Sequence, residues 1–175
     1  MSIQQNNQPG TGLASQVLRE PANRVCPRAV AYWRLNAVIW DGLLSIAAIV
    51  GWFFVPGHPW WATALLVLIV ALAVFHVTVM PTFRYRVHRW EVTDTAIHTR
   101  EGWLGRETRI APINRVQTVD FAQGALMRVF RIASLTVTTA SAAGPITITG
   151  LDADDTHALA ARLTAITAAD EGDAT

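Results

Sequence analysis

The sequence predicts an α+β membrane protein, in which a hairpin of two membrane-spanning helices precedes one β-rich domain that is closed by a C-terminal helix. Three observations support this fold class. Two apolar runs of about 20 residues each are separated by a short turn. Downstream, short segments with β-branched residues alternate with turn residues. Near the end of the chain, apolar residues recur at helical spacing.

Composition limits the chain to one modest soluble domain beside its membrane segments. Of 175 residues, 51% are hydrophobic and 15% are charged, whereas about a quarter are charged in an average soluble domain. All 14 basic residues are arginine, which excludes chemistry that depends on a Schiff-base lysine or a phosphate-loop lysine. The single cysteine, Cys26, cannot form an internal disulfide.

Residues 1–34 are predicted to be a disordered tail followed by a basic lead-in to the membrane. Residues 1–16 are rich in Gln, Asn, Gly and Ser, and they hold too few large apolar groups to offset the entropy of ordering. Residues 17–34 carry four arginines against one acid, Glu20. This stretch is therefore expected to be a basic juxtamembrane lead-in to the first span.

Residues 35–81 are predicted to form the transmembrane hairpin. The runs 36–55 and 60–80 each have the length that spans a hydrocarbon core of about 30 Å. Two prolines and a glycine between them break the helix, so the two helices are expected to be antiparallel neighbours. Arginines precede the first run and follow the second, and the turn has none. The positive-inside rule therefore predicts a multi-pass protein of the inner membrane with both termini in the cytosol.

Residues 82–169 are predicted to form a cytosolic domain, and residues 170–175 an acidic tail. Leu135, Val137 and Ile148 alternate with threonines, which places these three side chains on an inward face. The spacing of the segments indicates an antiparallel meander that curls into a barrel or sandwich. The predicted strands are 84–93, 96–103, 106–113, 115–121, 133–140 and 145–150.

The closing helix is predicted from its cap and its periodicity. Asp152 is placed to cap the N-terminus, and Asp154 and Asp155 are favourably placed in the first turn. Leu159 and Leu163 recur at helical spacing. This apolar face is expected to pack on the barrel.

Three blocks of the domain carry a family resemblance. They are residues 100–102 (REG), 113–119 (INRVQTV) and 123–133 (QGALMRVFRIA), of which the last is the most specific. Together with the preceding hairpin, they resemble the bacterial pleckstrin-homology-like (PH-like) domain of YdbS-like membrane proteins, bacterial PH domain family 2. The resemblance implies a PH-like barrel or sandwich with a C-terminal helix, and it brings no catalytic residues. In the family pattern a glycine often follows the phenylalanine, and here Arg131 takes that place.

Asp41 and His76 form a candidate intramembrane polar pair. Counting outward from the turn puts both residues at a similar depth, so that they could touch. Ionisable residues within membrane spans are candidate functional sites, and proton relays use them. The alternative is a structural contact, which we favour because one hairpin offers too few helices for a transport route.

The arginine-rich half of the domain is a second candidate site. If it faces the membrane, its charges would meet anionic lipid headgroups. The alternative is that these arginines solvate strand faces and pair with nearby acids. The candidate residues for binding a lipid headgroup or a partner are Arg84, Arg86, Arg89, Arg106, Arg109, Arg115 and Arg128.

These patterns predict a non-enzymatic scaffold or interaction module at the cytosolic face of the membrane. Its expected partners are membrane lipids, an unidentified protein or a second copy of the chain. No nucleic acid is expected, because no aromatic platform with interleaved basic residues is present. No metal spacing or nucleophile motif occurs, so neither a metal nor a cofactor is expected. The alternative is an accessory subunit of a membrane export or resistance system, in which Asp41 and His76 take part in transport.

Overall fold

Two apolar helices, two antiparallel sheets and a C-terminal helix make up the fold, which confirms the predicted α+β class. The predicted tail up to residue 19, Arg106 and residues 173–175 lie outside the described residues. The residues that a computed structural model describes are 20–102, 105, 107–140 and 144–172.

The predicted hairpin is present as two long helices, α1 (Arg28–Phe53) and α2 (Trp60–Val87). Both are long and apolar enough to cross a membrane, and few of their residues are buried within the protein. Side chains such as Trp40, Leu44 and Leu68 are more than half exposed. An exposed apolar surface of this extent requires an apolar environment, which a lipid bilayer provides.

Both helices extend beyond the predicted spans at the end that joins the domain. Helix α1 begins at Arg28, and α2 continues to Val87. Residues 84–87 are therefore helical, whereas the sequence pattern predicted a strand from residue 84. The reason is tertiary: the guanidinium carbon of Arg84 lies 4.5 Å from the ring centroid of Trp33 in α1, a favourable cation–π distance.

The domain consists of two antiparallel sheets and two helices. Strands β1 to β4, which form the first sheet in that order, are Asn23–Arg24, Arg89–Val92, Ala96–Glu101 and Glu107–Pro112. Strands β5 to β7 of the second sheet are Val116–Ala122, Ile132–Thr139 and Ile146–Asp152. A short helix, α3 (Ala125–Val129), connects β5 to β6, and the C-terminal helix α4 (Ala153–Gly172) packs on the second sheet.

Strand β1 precedes the hairpin in sequence but belongs to the domain. Asn23 pairs with Trp90, and Arg24 pairs with Arg89 of β2. The basic lead-in is therefore joined to the first sheet before α1 begins. Two paired residues are too short to show the alternation that predicts a strand, so this pairing was not expected from the sequence.

The core lies between the second sheet, the first sheet and α4. Leu135, Val137 and Leu163 have no exposed surface, and Ile148 is 3% exposed. The prediction that these residues face inward is confirmed. Their burial fixes the register of β6 and β7, because a slip of one residue would turn these side chains to solvent.

Helix α4 begins where its cap was predicted. The backbone N–H of Asp154 donates to Oδ1 of Asp152 at 3.1 Å, as in an N-cap. The helix continues to Gly172, beyond the boundary that the sequence suggested.

Candidate functional site at the hairpin-domain junction

The first turns of α1 are embedded in the domain. Val25 is 2% exposed, and Ala29 and Trp33 are 0% and 5% exposed, because they pack with Ile132 at the start of β6. The partly buried side chains around this junction cluster are Cys26, Tyr32, Tyr85, Trp90, Met127 and Phe130. The hairpin and the domain are therefore joined by a packed interface and not by a loose linker.

A glycine allows α1 to approach β7 closely. The backbone of Gly150 has φ +88°, and a Cβ placed there would lie 2.7 Å from Cβ of Ala29. The N–H of Cys26 donates to the carbonyl oxygen of Gly150 at 2.8 Å. Only a residue without a side chain fits this close approach in a left-handed conformation.

The block that carries most of the family resemblance forms a corner at the same junction. We define the corner as α3 and the residues that follow it to Arg131. The rings of Phe130 and Tyr32 are in edge contact, with centroids 6.2 Å apart. The corner is thus fixed against α1, at the end of the domain nearest the hairpin.

His88 is buried, and it lies between the end of α2 and the start of β2. Its ring makes an edge contact with Trp33, with centroids 5.6 Å apart, and its Nε2 is 3.5 Å from Oε2 of Glu101. Burial, together with the positive charge of Arg84, lowers the pKa of His88 to about 4. The imidazole is therefore neutral at pH 7, and its nitrogens make no hydrogen bond among the described residues.

Of the predicted basic residues nearest to the hairpin, Arg89 lies near an acid and Arg84 contacts an aromatic ring. Arg84 lies over Trp33 as described above. Nη1 of Arg89 is 3.5 Å from a carboxylate oxygen of Glu20, and Arg86 lines a small polar cavity with both of them. The predicted alternative of ion pairing thus applies to part of this group.

Two other predicted arginines, Arg109 and Arg115, line an open cleft of about 560 Å³. Nε of Arg109 is 2.6 Å from Oε1 of Glu107, and its Nη1 donates to the carbonyl oxygen of Pro145. Arg115 ends the 3₁₀ turn that follows β4, and it lines this cleft together with Arg109. None of the residues that line this cleft also lines the cavity at Arg128, which follows β5 in the corner.

Arg128 lies with two arginines that the sequence patterns did not single out as ligands. Arg28, Arg128 and Arg131 line one polar cavity of about 390 Å³ together with Asp152 and Asp154. Arg131 has φ +50°, a left-handed conformation that favours glycine. The departure from the family pattern at this position was the available sequence signal.

The structure brings together the two residues that were predicted to form an intramembrane pair. Nδ1 of His76 is 2.6 Å from Oδ2 of Asp41. The side chains are 42% and 20% exposed, respectively, and Asp41 lines a shallow apolar groove between the helices with Gly42 and Ser45. No group of three potential ligands that could hold a metal ion occurs within the described ranges.

The fold and the junction define a membrane protein with a PH-like domain. The family model described as a bacterial PH domain matches residues 35–167, and the chain therefore belongs to the bacterial PH domain family. It is similar to the UPF0699 transmembrane protein YdbS of Bacillus subtilis strain 168, with 29% identity over 125 residues, which cover 70% of this chain and 79% of the relative. No solved structure gives a significant match.

Proposed function

We propose that this protein is a non-enzymatic interaction module, which holds its PH-like domain in a fixed orientation at the cytosolic face of the membrane. The observation that carries the proposal is the burial of Ala29 and Trp33 of α1 within the domain. A packed junction lets one surface of the domain face the membrane constantly, whereas a flexible tether would present every surface in turn.

The surface chemistry fits binding better than catalysis. The cavity lined by Arg128 and Arg131 suits an anionic lipid headgroup. The cleft lined by Arg109 and Arg115 suits an acidic protein surface. A second copy of the chain is the remaining class of partner. The arginine placement along the sequence supports cytosolic termini.

Co-purification of the full chain from native membranes in mild detergent tests the proposal. The matched control is a chain that ends at Val87, which keeps the hairpin but lacks β2 and all that follows. We expect a lipid, a protein or a second copy to be enriched on the full chain and not on the control. Equal enrichment on both, or enrichment on neither, would contradict a role for the domain in binding.

The contact between Asp41 and His76 favours a second candidate function, that of an accessory subunit for export or resistance. An ionisable pair within an apolar span is energetically costly, and such residues are usually found where they have a function. In a strain whose resistance depends on this gene, Asp41→Asn should abolish resistance at an unchanged protein level if the pair relays protons. Ser45→Ala, in the same groove, is the control. Full resistance with Asp41→Asn would leave the pair as a structural contact.

A further inference from the structure

The corner lies at the depth of the lipid headgroups when the hairpin spans a bilayer. Its Phe130 contacts Tyr32, which is four residues before the apolar run begins at Asn36. Four helical residues rise about 6 Å, and the headgroup layer of one leaflet is roughly 5 to 7 Å thick. The corner therefore reaches the headgroup layer as a result of how the domain is packed on α1.

The charges in the corner are available for a ligand. Among the described residues, none forms a hydrogen bond or an ion pair with the side chain of Arg128 or of Arg131. Arg28 is paired with Asp152 on the wall of the same cavity. With Asp154 included, the lining keeps a surplus of one positive charge, which matches the single negative charge of a phosphodiester.

Backbone strain at Arg131 points to a role for its side chain. A non-glycine residue in the left-handed region costs roughly 1 to 2 kcal/mol, and Arg131 is held there by two backbone hydrogen bonds. Its N–H donates to the carbonyl of Arg128 at 3.0 Å, and the N–H of Ala153 donates to its carbonyl at 3.2 Å. Glycine would remove the strain, so the guanidinium is retained at a cost to the fold, as is common at ligand sites.

An exposed apolar side chain lies between the two arginines. Val129 is 74% exposed, although it belongs to a corner whose neighbouring Met127 and Phe130 pack inward. A basic pair that flanks an exposed apolar residue suits the boundary between headgroups and acyl chains better than it suits water.

From these observations we infer that the corner is a binding site for the phosphate of an anionic phospholipid, formed by Arg128 and Arg131 beside the paired Arg28 and Asp152, with Val129 inserted beside the headgroup. The inference rests on the proposed function, since it names one ligand for the module. It differs from the predicted basic surface, because Arg109 and Arg115 lie outside the site.

The test measures lipid bound to the full chain in a neutral detergent by native mass spectrometry, with short-chain phosphatidylglycerol or phosphatidylcholine as the probe. We expect phosphatidylglycerol to bind more tightly. Arg128→Gln and Arg131→Gly should each weaken its binding about fivefold, the equivalent of about 1 kcal/mol per arginine. Arg131→Gly should at the same time raise Tm, because it relieves the strained backbone. A general loss of folding cannot produce this combination.

Arg115→Gln is the matched control, since it removes the same charge from an exposed residue that lines a different cleft, and it should leave lipid binding within about twofold of the unmodified chain. The site is overturned if Arg115→Gln weakens binding as much as Arg128→Gln, if neither corner variant weakens it, or if both lipids bind equally. Displacement of the lipid by millimolar inorganic phosphate would also overturn it, in favour of a site for the free anion. The proposed function is judged separately, because co-purification with the chain that ends at Val87 as control does not require a lipid ligand.

Discussion

At the scale of single residues, His88 shows how the junction depends on an uncharged ring. The imidazole fills the space between Trp33 and Glu101, and Arg84 lies near it. Protonation would place a second positive charge beside Arg84 in a site from which water is largely excluded. Burial and the charge of Arg84 lower the pKa of His88 despite the carboxylate of Glu101 nearby, so protonation of the packed ring is opposed.

The junction should consequently weaken in mild acid. The folded pKa of about 4 is below the ordinary histidine value of about 6.5, so the unfolded chain binds the proton first. The contribution of neutral His88 to the free energy of unfolding is fully present above about pH 6.5, and it is lost as the pH falls towards 4. Between pH 7 and pH 5 the free energy of unfolding should fall by roughly 2 kcal/mol through His88. Denaturant unfolding of the full chain in detergent measures this loss.

His88→Phe should flatten that pH dependence, because the ring contact with Trp33 remains and the titrating group is gone. His98→Gln removes another imidazole, from the half-buried face of β3, and should leave the dependence in place. If His88→Phe and the unmodified chain lost the same stability between pH 7 and pH 5, the dependence would not originate at this residue.

At the scale of elements, helix α1 belongs to two environments. Its first turns are part of the domain core around Ala29 and Trp33, whereas the residues after Ala37 are largely exposed and apolar. At Gly150 of β7 the backbone of the domain lies so close to Ala29 of α1 that a side chain would not fit. A helix that is long and apolar enough to span the membrane is thereby also the element that orients the domain.

Gly150→Ala should separate α1 from β7. The new Cβ meets Ala29 at 2.7 Å and occupies a left-handed conformation, for a combined cost of roughly 2 to 4 kcal/mol. Gly124→Ala is the control, since its φ of −68° is ordinary and nothing lies within 4 Å of the added atom. Denaturant unfolding measures the loss, and the rate of thiol labelling at Cys26 reports the contact directly. Unchanged stability and labelling in Gly150→Ala would contradict the close approach.

At the scale of the whole molecule, the structure places the domain on the side of the hairpin where both helices carry arginines. Trp52 and Thr63 share a hydrogen bond of 3.2 Å near the turn, and Arg34 donates to Thr82 near the domain. The two helices are thus tied together at both ends. Charge then predicts which end is cytosolic.

Cysteine labelling of intact cells tests this orientation. In a Cys26→Ala background, a membrane-impermeant thiol reagent should label His58→Cys, in the turn between the helices. It should not label Asp120→Cys, on the exposed face of β5, until the cells are opened. Labelling of Asp120→Cys in intact cells would place the domain outside and reverse the proposed topology.

The local sequence was sufficient wherever a feature depends on neighbouring residues. Helix period and run length predicted the hairpin, and the alternation at Leu135 and Val137 predicted the buried face of β6. The cap at Asp152 is likewise a local contact. The meeting of Asp41 and His76 also followed from counting, because a tight turn sets the register of two antiparallel helices.

Only the tertiary structure shows what depends on contacts between distant parts of the chain. The pairing of β1 with β2 and the helical state of residues 84–87 are set by partners far away in sequence. The predicted arginines, which composition presents as one basic surface, fall into separate groups because Arg115 precedes β5, Arg128 follows it, and the two line different cavities. Sequence composition specifies how many charges a domain carries, but chain topology determines which of them meet, because close packing brings together residues that no local pattern relates.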